Sequence, residues 1–254
     1  MADLLEVREI GVRFAGIIAL DNLTFTIREG EICALIGPNG AGKTTLFNVL
    51  SRLYEPTTGH VRFDGKDLLT VAPHRIAAIG IARTFQNLAL FPSLTVLQNV
   101  MVGAHTRGHT NWITGALRLG VRREDSELEH LAFQTLDELG LGAVALQPPT
   151  GLPYGTMKRI ELARALVGQP KLLMLDEPAS GLTHSEVDHL AETLRHIRDS
   201  RQVTLLLVEH HMQMVMGISD NVVVLNFGHK LAEGTPSVIS RDPAVVEAYL
   251  GATA

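Results

Sequence analysis

With 254 residues and 46% hydrophobic content, the chain can build one large core or two small ones, which excludes a disordered or low-complexity protein. A formal charge of −5 without a long run of Lys or Arg argues against a nucleic-acid surface. The single cysteine, Cys33, excludes a disulfide framework and fits a reducing compartment, and no apolar run approaches the ~20 residues of a membrane-spanning helix.

Residues 1–10 carry acidic side chains where a signal peptide would be basic. Residues 4–14 and 23–27 read as strands of a small sheet, and Arg28, Glu29 and Gly30 turn the chain into the next strand. Phe14 stands beside Ala15 and Gly16 at a strand end, where its ring either stacks on an adenine or joins ordinary packing. Residues 32–36 are continuously apolar, a buried strand with Cys33 inside it. Residues 37–45 then read GPNGAGKTT, with Gly37, Gly42, Lys43 and Thr44 in the register G-x-x-x-x-G-K-[ST]. Leu46, Val49, Leu50 and Leu53 recur at helical spacing, so the context is strand, loop, helix. Glycines there let backbone N–H groups turn inward around a phosphate, and the helix start adds its positive end. The expected ligand is a nucleoside triphosphate, with Lys43 spanning its β- and γ-phosphates and the Thr44 hydroxyl on Mg²⁺.

Residues 56–59 form a turn and 60–63 a strand closed by Asp64 and Gly65. The spacing predicts a short amphipathic helix over 73–81, and ARTFQ at 82–86 can bring Gln86 to the metal edge of the loop. Residues 87–103 alternate apolar and polar positions around Pro92. Residues 104–125 are predicted to be loop-rich and mobile, and Gly103/Gly108, Gly115/Gly120 and Trp112 fall in or beside them. Ser126 with Glu129 makes a capping box, followed by a helical pattern through Leu139 that Gly140 ends. No strand pattern lies between about residues 102 and 171, so a helical subdomain is expected. The Pro- and Gly-rich stretch 147–155 opens a helix over 156–167. Its start at Gly155 either holds a second anion or is simply a capped helix end.

Residues 172–175 are another buried strand, ending in Asp176, Glu177 and Pro178 at the ligand-binding edge of a parallel sheet. Asp176 would fix Mg²⁺ and Glu177 would polarise the attacking water, since burying unpaired carboxylates in a core is costly. A helix follows from Val187 to Ile197, then a strand over 203–208 ends in Glu209, His210 and His211, where His210 can reach a γ-phosphate. Residues 222–227 and 230–232 read as a hairpin. Thr235-Pro236 and Asp242-Pro243 then open two short helices.

The order GPNGAGKTT, Gln86, LPYGT (152–156), LLMLDEP (172–178), SGLT (180–183) and His210 resembles the nucleotide-binding subunit of ABC transporters over the whole chain. The resemblance implies an α/β P-loop NTPase fold. Its RecA-like core carries an N-terminal antiparallel β subdomain and an α-helical subdomain inserted at about 87–165, all within one nucleotide-binding domain over 1–254. RTFQ (83–86), the insertion near 104–125, EHHMQMVMGISD (209–220) and GTPSVISRDPAVVEAYLG (234–251) are similar to ATP-binding subunits of branched-chain amino acid uptake systems. By the same resemblance Phe14 stacks on adenine, and Gly37, Asn39, Gly40, Ala41, Gly42, Lys43, Thr44 and Thr45 form the phosphate loop. Gln86 contacts the metal and senses the permease, Gly155 belongs to the signature, and Asp176 holds the metal with Thr44 and Gln86. Glu177 is the base and His210 the switch, acting with Lys43 and Gln86 in catalysis.

The activity implied is Mg²⁺-dependent ATP hydrolysis at the cytoplasmic face of the membrane, driving small-solute uptake, branched-chain amino acids first among the solutes. The partners implied are a second ATP-binding subunit (the same chain or a paralogue), a permease and, indirectly, a periplasmic or extracellular solute-binding protein; no nucleic acid is implied. Urea or amide transport, an ABC ATPase outside transport, and a plain nucleotide switch or kinase are the alternatives. The chain departs from the LSGGQ signature at Pro153, Tyr154 and Thr156, and Pro153 offers neither hydroxyl nor N–H. Thr183 stands where aspartate is common, and His211 where an acidic residue is frequent.

Overall fold

The computed structural model describes residues 2–84, 88–104 and 121–250. In chain order, β1 (Asp3–Phe14), β2 (Ile17–Arg28) and β3 (Ile32–Ile36) lead into α1 (Lys43–Leu50). Then come β4 (Thr58–Phe63), β5 (Lys66–Asp67), β6 (Ile81–Arg83), α2 (Val96–Val102), α3 (Val121–Glu138) and α4 (Tyr154–Leu166). The remainder alternates: β7 (Leu172–Asp176), α5 (His184–Arg201), β8 (Thr204–Val208), α6 (Met212–Ile218), β9 (Asn221–Asn226), β10 (His229–Gly234), α7 (Pro236–Ile239) and α8 (Pro243–Leu250).

The first four strands outside the phosphate-loop unit make an antiparallel sheet of order β2-β1-β4-β5, in which Leu5 faces Phe63 and Val7 faces both Phe25 and Val61. The second sheet has the order β10-β9-β3-β8-β7-β6, parallel except for the β9–β10 hairpin. Its central strands read ICALI, LLMLD and TLLLV, almost without polar residues, because a parallel sheet is covered on both faces. On one face Leu35 and Leu206 pack with Leu46 and Phe47 of α1 and with the first sheet. Across it, Leu173, Leu205 and Leu207 pack with Ile160 of α4 and Leu194 of α5. Ile36, Val222 and Val224 meet Val215 of α6, Ile239 of α7 and Val245 of α8.

Helices α2, α3 and α4 pack on one another beside the parallel sheet. A Cβ built on Gly103 would stand 1.8 Å from the Arg164 carbonyl oxygen, so only glycine permits the approach of α2 to α4. Arg201 of α5 stitches the layer to the core: its Nε donates to Glu138 Oε2 at 2.8 Å, Nη1 to the Leu166 carbonyl at 3.2 Å and Nη2 to Thr135 Oγ1 at 3.1 Å. No helix among the described residues is long and apolar enough to cross a membrane.

Three expectations are corrected. Residues 73–81 are not a helix: a single 3₁₀ turn spans Pro73–Arg75, and β6 joins the sheet edge. Gly80, at φ 99°, ends the turn, and its carbonyl accepts the N–H groups of Lys171 and Leu172, which starts the pairing. Ser126 opens no helix, because α3 begins at Val121 and the intervening residues contain no breaker. Part of the stretch 104–125 predicted as loop is therefore helical. The alternating segment 87–103 contains α2, whose start is fixed by Thr95 and Gln98 in a reciprocal capping box. Gly108, Trp112, Gly115 and Gly120 lie outside the described residues.

Candidate active site

β3, β8 and β7 are neighbours in register, with Leu35 opposite Val208 and Val208 opposite Asp176. Everything that follows these three strands therefore gathers at one carboxyl edge, where open parallel sheets bind ligands. The loop after β3 holds Gly37, Gly40 and Gly42 at φ 151°, 79° and 102°. A side chain at Gly37 would strike the Leu225 carbonyl at 2.1 Å, and one at Gly42 the Ala19 carbonyl at 2.6 Å, so the loop is seated on β9 and β2 through bare backbone. Ala41 is buried and its carbonyl accepts the Gly228 N–H at 3.1 Å, whereas Asn39, Gly40 and Thr44 are exposed and Thr45 is half-buried. Lys43 is buried and its Nζ donates to the carbonyls of Gly37 at 2.6 Å and Pro38 at 2.9 Å. Burial lowers its pKa below the ordinary lysine value, against the opposing pull of Glu177 and Asp176.

Glu177 follows β7 with φ 48°, an uncommon conformation for a residue bearing a Cβ. Its N–H donates to the Val208 carbonyl at 2.9 Å, which ties it to the end of β8. His210 Nε2 lies 2.8 Å from Glu177 Oε1. Two residues singled out from separate strand ends thus share a hydrogen bond. Asp176, with its side chain 12% exposed, is paired to Arg83 at 2.9 Å.

Two contributors escaped sequence reasoning. Glu209 is 1% exposed and accepts from Ala179 N at 2.6 Å, His210 N at 2.8 Å and His211 N at 3.1 Å, joining the loop after Glu177 to the histidine. An acid directly after TLLLV signals a special position, although not its partners. Arg83 opens the RTFQ motif, which says nothing of its partners.

Other candidates stand apart. Phe14 is 41% exposed and meets Tyr54 edge-on, ring centroids 5.1 Å apart, so it is no core residue. Gly155 lies in the first turn of α4, which Pro153 starts without a side-chain cap. The 310 Å³ cavity beside it is lined by Thr156, Lys158, Leu182, Glu186 and His189 among others, with no residue of the phosphate loop. Tyr154 packs on Gly181, where a Cβ would come within 3.0 Å of its ring. Thr183 donates its N–H and its hydroxyl to Glu186, each at 2.8 Å; an aspartate would keep the N–H contact but replace the hydroxyl contact by repulsion. Gln86 lies outside the described residues.

Comparison with known proteins gives the family. Residues 20–180 match the family described as ABC transporter, and residues 229–254 match the branched-chain amino acid ATP-binding cassette transporter family. The chain is 41% identical over 249 residues to the high-affinity branched-chain amino acid transport ATP-binding protein BraF of Pseudomonas aeruginosa, covering 98% of both. It is 42% identical over 249 residues to the corresponding protein LivG of Escherichia coli, again covering 98% of both. A crystal structure of an ATP-binding cassette of an ABC transporter in its ADP conformation superposes with a TM-score of 0.86 at 29% identity, covering 99% of this chain and 100% of that one. A nucleotide-free cassette gives 0.84, also at 29% identity, covering 98% and 99%.

Proposed function

The chain belongs to the ABC transporter family as an ATP-binding subunit, and from that premise we propose that its ATPase activity powers uptake of branched-chain amino acids through a membrane permease. The observation that carries the chemistry is the 2.8 Å contact between His210 and Glu177 at the sheet edge that also holds Lys43. Glu177 orients a water in line with the β–γ bond and accepts its proton. His210 holds that carboxylate through Oε1 and senses the γ-phosphate. Lys43 exchanges its loop carbonyls for phosphate oxygens, and the N–H groups of the loop stabilise the developing charge once the second subunit closes over the site and excludes water.

Asp176 and the exposed Thr44 hydroxyl suit Mg²⁺, because both are oxygen donors, as a hard cation requires. When bound, Mg²⁺ neutralises charge on the β- and γ-phosphates. Gln86 is the further metal and permease-sensing residue in this reading. Phe14 stacks on adenine.

Gly155 and the start of α4 serve the nucleotide of a second ATP-binding subunit, the same chain or a paralogue, which fits a cavity lined without the phosphate loop. The whole chain is one nucleotide-binding domain with its helical subdomain at about 87–165, held at the cytoplasmic face of the membrane by the permease. A solute-binding protein supplies the cargo from outside.

Glu177→Gln tests the chemistry: ATP binding persists, phosphate release is abolished, and ATP traps a dimer in size-exclusion chromatography. Undiminished phosphate release would refute it. Reconstitution with the co-purified permease tests the cargo, which is wrong if leucine fails to stimulate hydrolysis and urea succeeds.

A further inference from the structure

Arg83 closes β6 at the edge of the parallel sheet, and its side chain is 10% exposed. Its Nη2 donates to Asp176 Oδ2 at 2.9 Å, and its Nη1 donates to Asn48 Oδ1 at 2.9 Å and Ser51 Oγ at 3.2 Å. The guanidinium carbon lies 5.4 Å over the Phe47 ring. Phe47 and Asn48 belong to α1, the helix that begins with Lys43 and Thr44, and Ser51 caps its end. One planar cation thus grips the helix that carries Thr44 and the strand end that carries Asp176. A guanidinium is costly to bury, and its rigid fork can bind two partners in fixed geometry where an ammonium cannot.

We propose that Arg83 is a positioning residue for divalent-metal binding: it holds Asp176 by Oδ2, leaves Oδ1 for the cation, and fixes the spacing between α1 and β7. This rests on the reading of Asp176 and Thr44 as the metal side of the site. Two effects oppose each other when the guanidinium is removed. Loss of a nearby positive charge favours a cation, whereas loss of orientation disfavours it, and the proposal states that orientation dominates.

The test is Mn²⁺ binding to the full-length, ATP-loaded protein, followed by electron paramagnetic resonance, together with the Mg²⁺ dependence of turnover. Arg83→Gln is expected to weaken protein-bound Mn²⁺ about tenfold, or ~1.4 kcal/mol. The Mg²⁺ concentration for half-maximal hydrolysis should rise by a similar factor, with the deficit shrinking at saturating Mg²⁺. Arg83→Lys, which keeps the charge without the fork, should recover only part of the loss. Unchanged or tighter Mn²⁺ binding in Arg83→Gln overturns the proposal, and so does full recovery in Arg83→Lys. If Arg83→Gln fails to fold, Asn48→Ala combined with Ser51→Ala removes both α1 acceptors and leaves the Asp176 contact, and unchanged Mn²⁺ affinity there is equally fatal. Asp176→Asn separates the two levels: Mn²⁺ binding that survives it refutes the metal reading itself, whatever Arg83 does.

Discussion

Glu209→Gln is the sharpest test of how the catalytic edge is held. The carboxylate is 1% exposed and accepts three backbone N–H groups, from Ala179 at 2.6 Å and from His210 and His211 at 2.8 and 3.1 Å. Glutamine keeps the shape but has a single acceptor oxygen, so its amide NH₂ must face either the Ala179 N–H or the pair from the histidines. A hydrogen bond to a charged group contributes about 1.5–3 kcal/mol, and a buried donor left unpaired costs about 1–3 kcal/mol. The lower desolvation cost of the neutral amide offsets part of this. The net expectation is a loss of about 3 kcal/mol, which lowers the melting temperature of a chain this size by about 6–12 °C. Turnover should also fall, because Ala179 follows Glu177 by two residues and His210 adjoins Glu209. A displacement that adds about 1.4 kcal/mol to the barrier slows phosphate release tenfold. Scanning calorimetry and a phosphate-release assay on the same preparation decide the matter. A variant that melts within about 1 °C of the wild type and hydrolyses ATP normally would refute this role for Glu209.

Three further outcomes are expected. Gly103→Ala forces a methyl group against the Arg164 carbonyl, 1.8 Å away, and should cost about 2–4 kcal/mol in urea unfolding; a change under about 0.5 kcal/mol would mean the helices separate freely. Phe14→Ala removes an exposed ring and should weaken ATP binding about tenfold, within the ~1–3 kcal/mol of a base stacked on an aromatic ring, with little change in melting temperature. The reverse pattern would assign the ring to packing against Tyr54. Burial raises the pKa of Glu138, but the Arg201 guanidinium outweighs it and holds the carboxyl below the ordinary glutamate value. Because the folded value is depressed, this stabilisation is present above the ordinary carboxylate pKa and is lost as pH falls through the folded one. Arg201→Gln should therefore flatten the acid limb of stability below the ordinary glutamate pKa in urea titrations, and an unaltered slope would count against the pair.

What the sequence disclosed follows from range. ICALI, LLMLD and TLLLV are short, almost wholly apolar and each followed by chemistry-bearing residues, so the strand ends and the gathering of Lys43, Asp176, Glu177 and His210 at one edge are legible in the sequence. Gly140 could be read as a helix stop because the left-handed backbone it adopts, φ 66°, is a local property. β6 was misread because three residues cannot display a period, and its strand character comes wholly from pairing with β7. Ser126 and Glu129 have capping-box spacing, yet good helix-forming residues before them let α3 start earlier. Asp176, which Arg83 grips, lies 93 residues from it in the chain, and Ala179, which Glu209 holds, lies 30 residues away, both beyond any motif.

The bare backbone of Gly103 against the Arg164 carbonyl also has a mechanical consequence. Where even a methyl group has no room, two helices cannot slide past each other, and the Asn99 side chain, bonded to the Phe91 and Thr95 carbonyls, leaves the front of α2 equally without slack. A push on α2 therefore bears directly on α4, whose far end holds Tyr154 against Gly181.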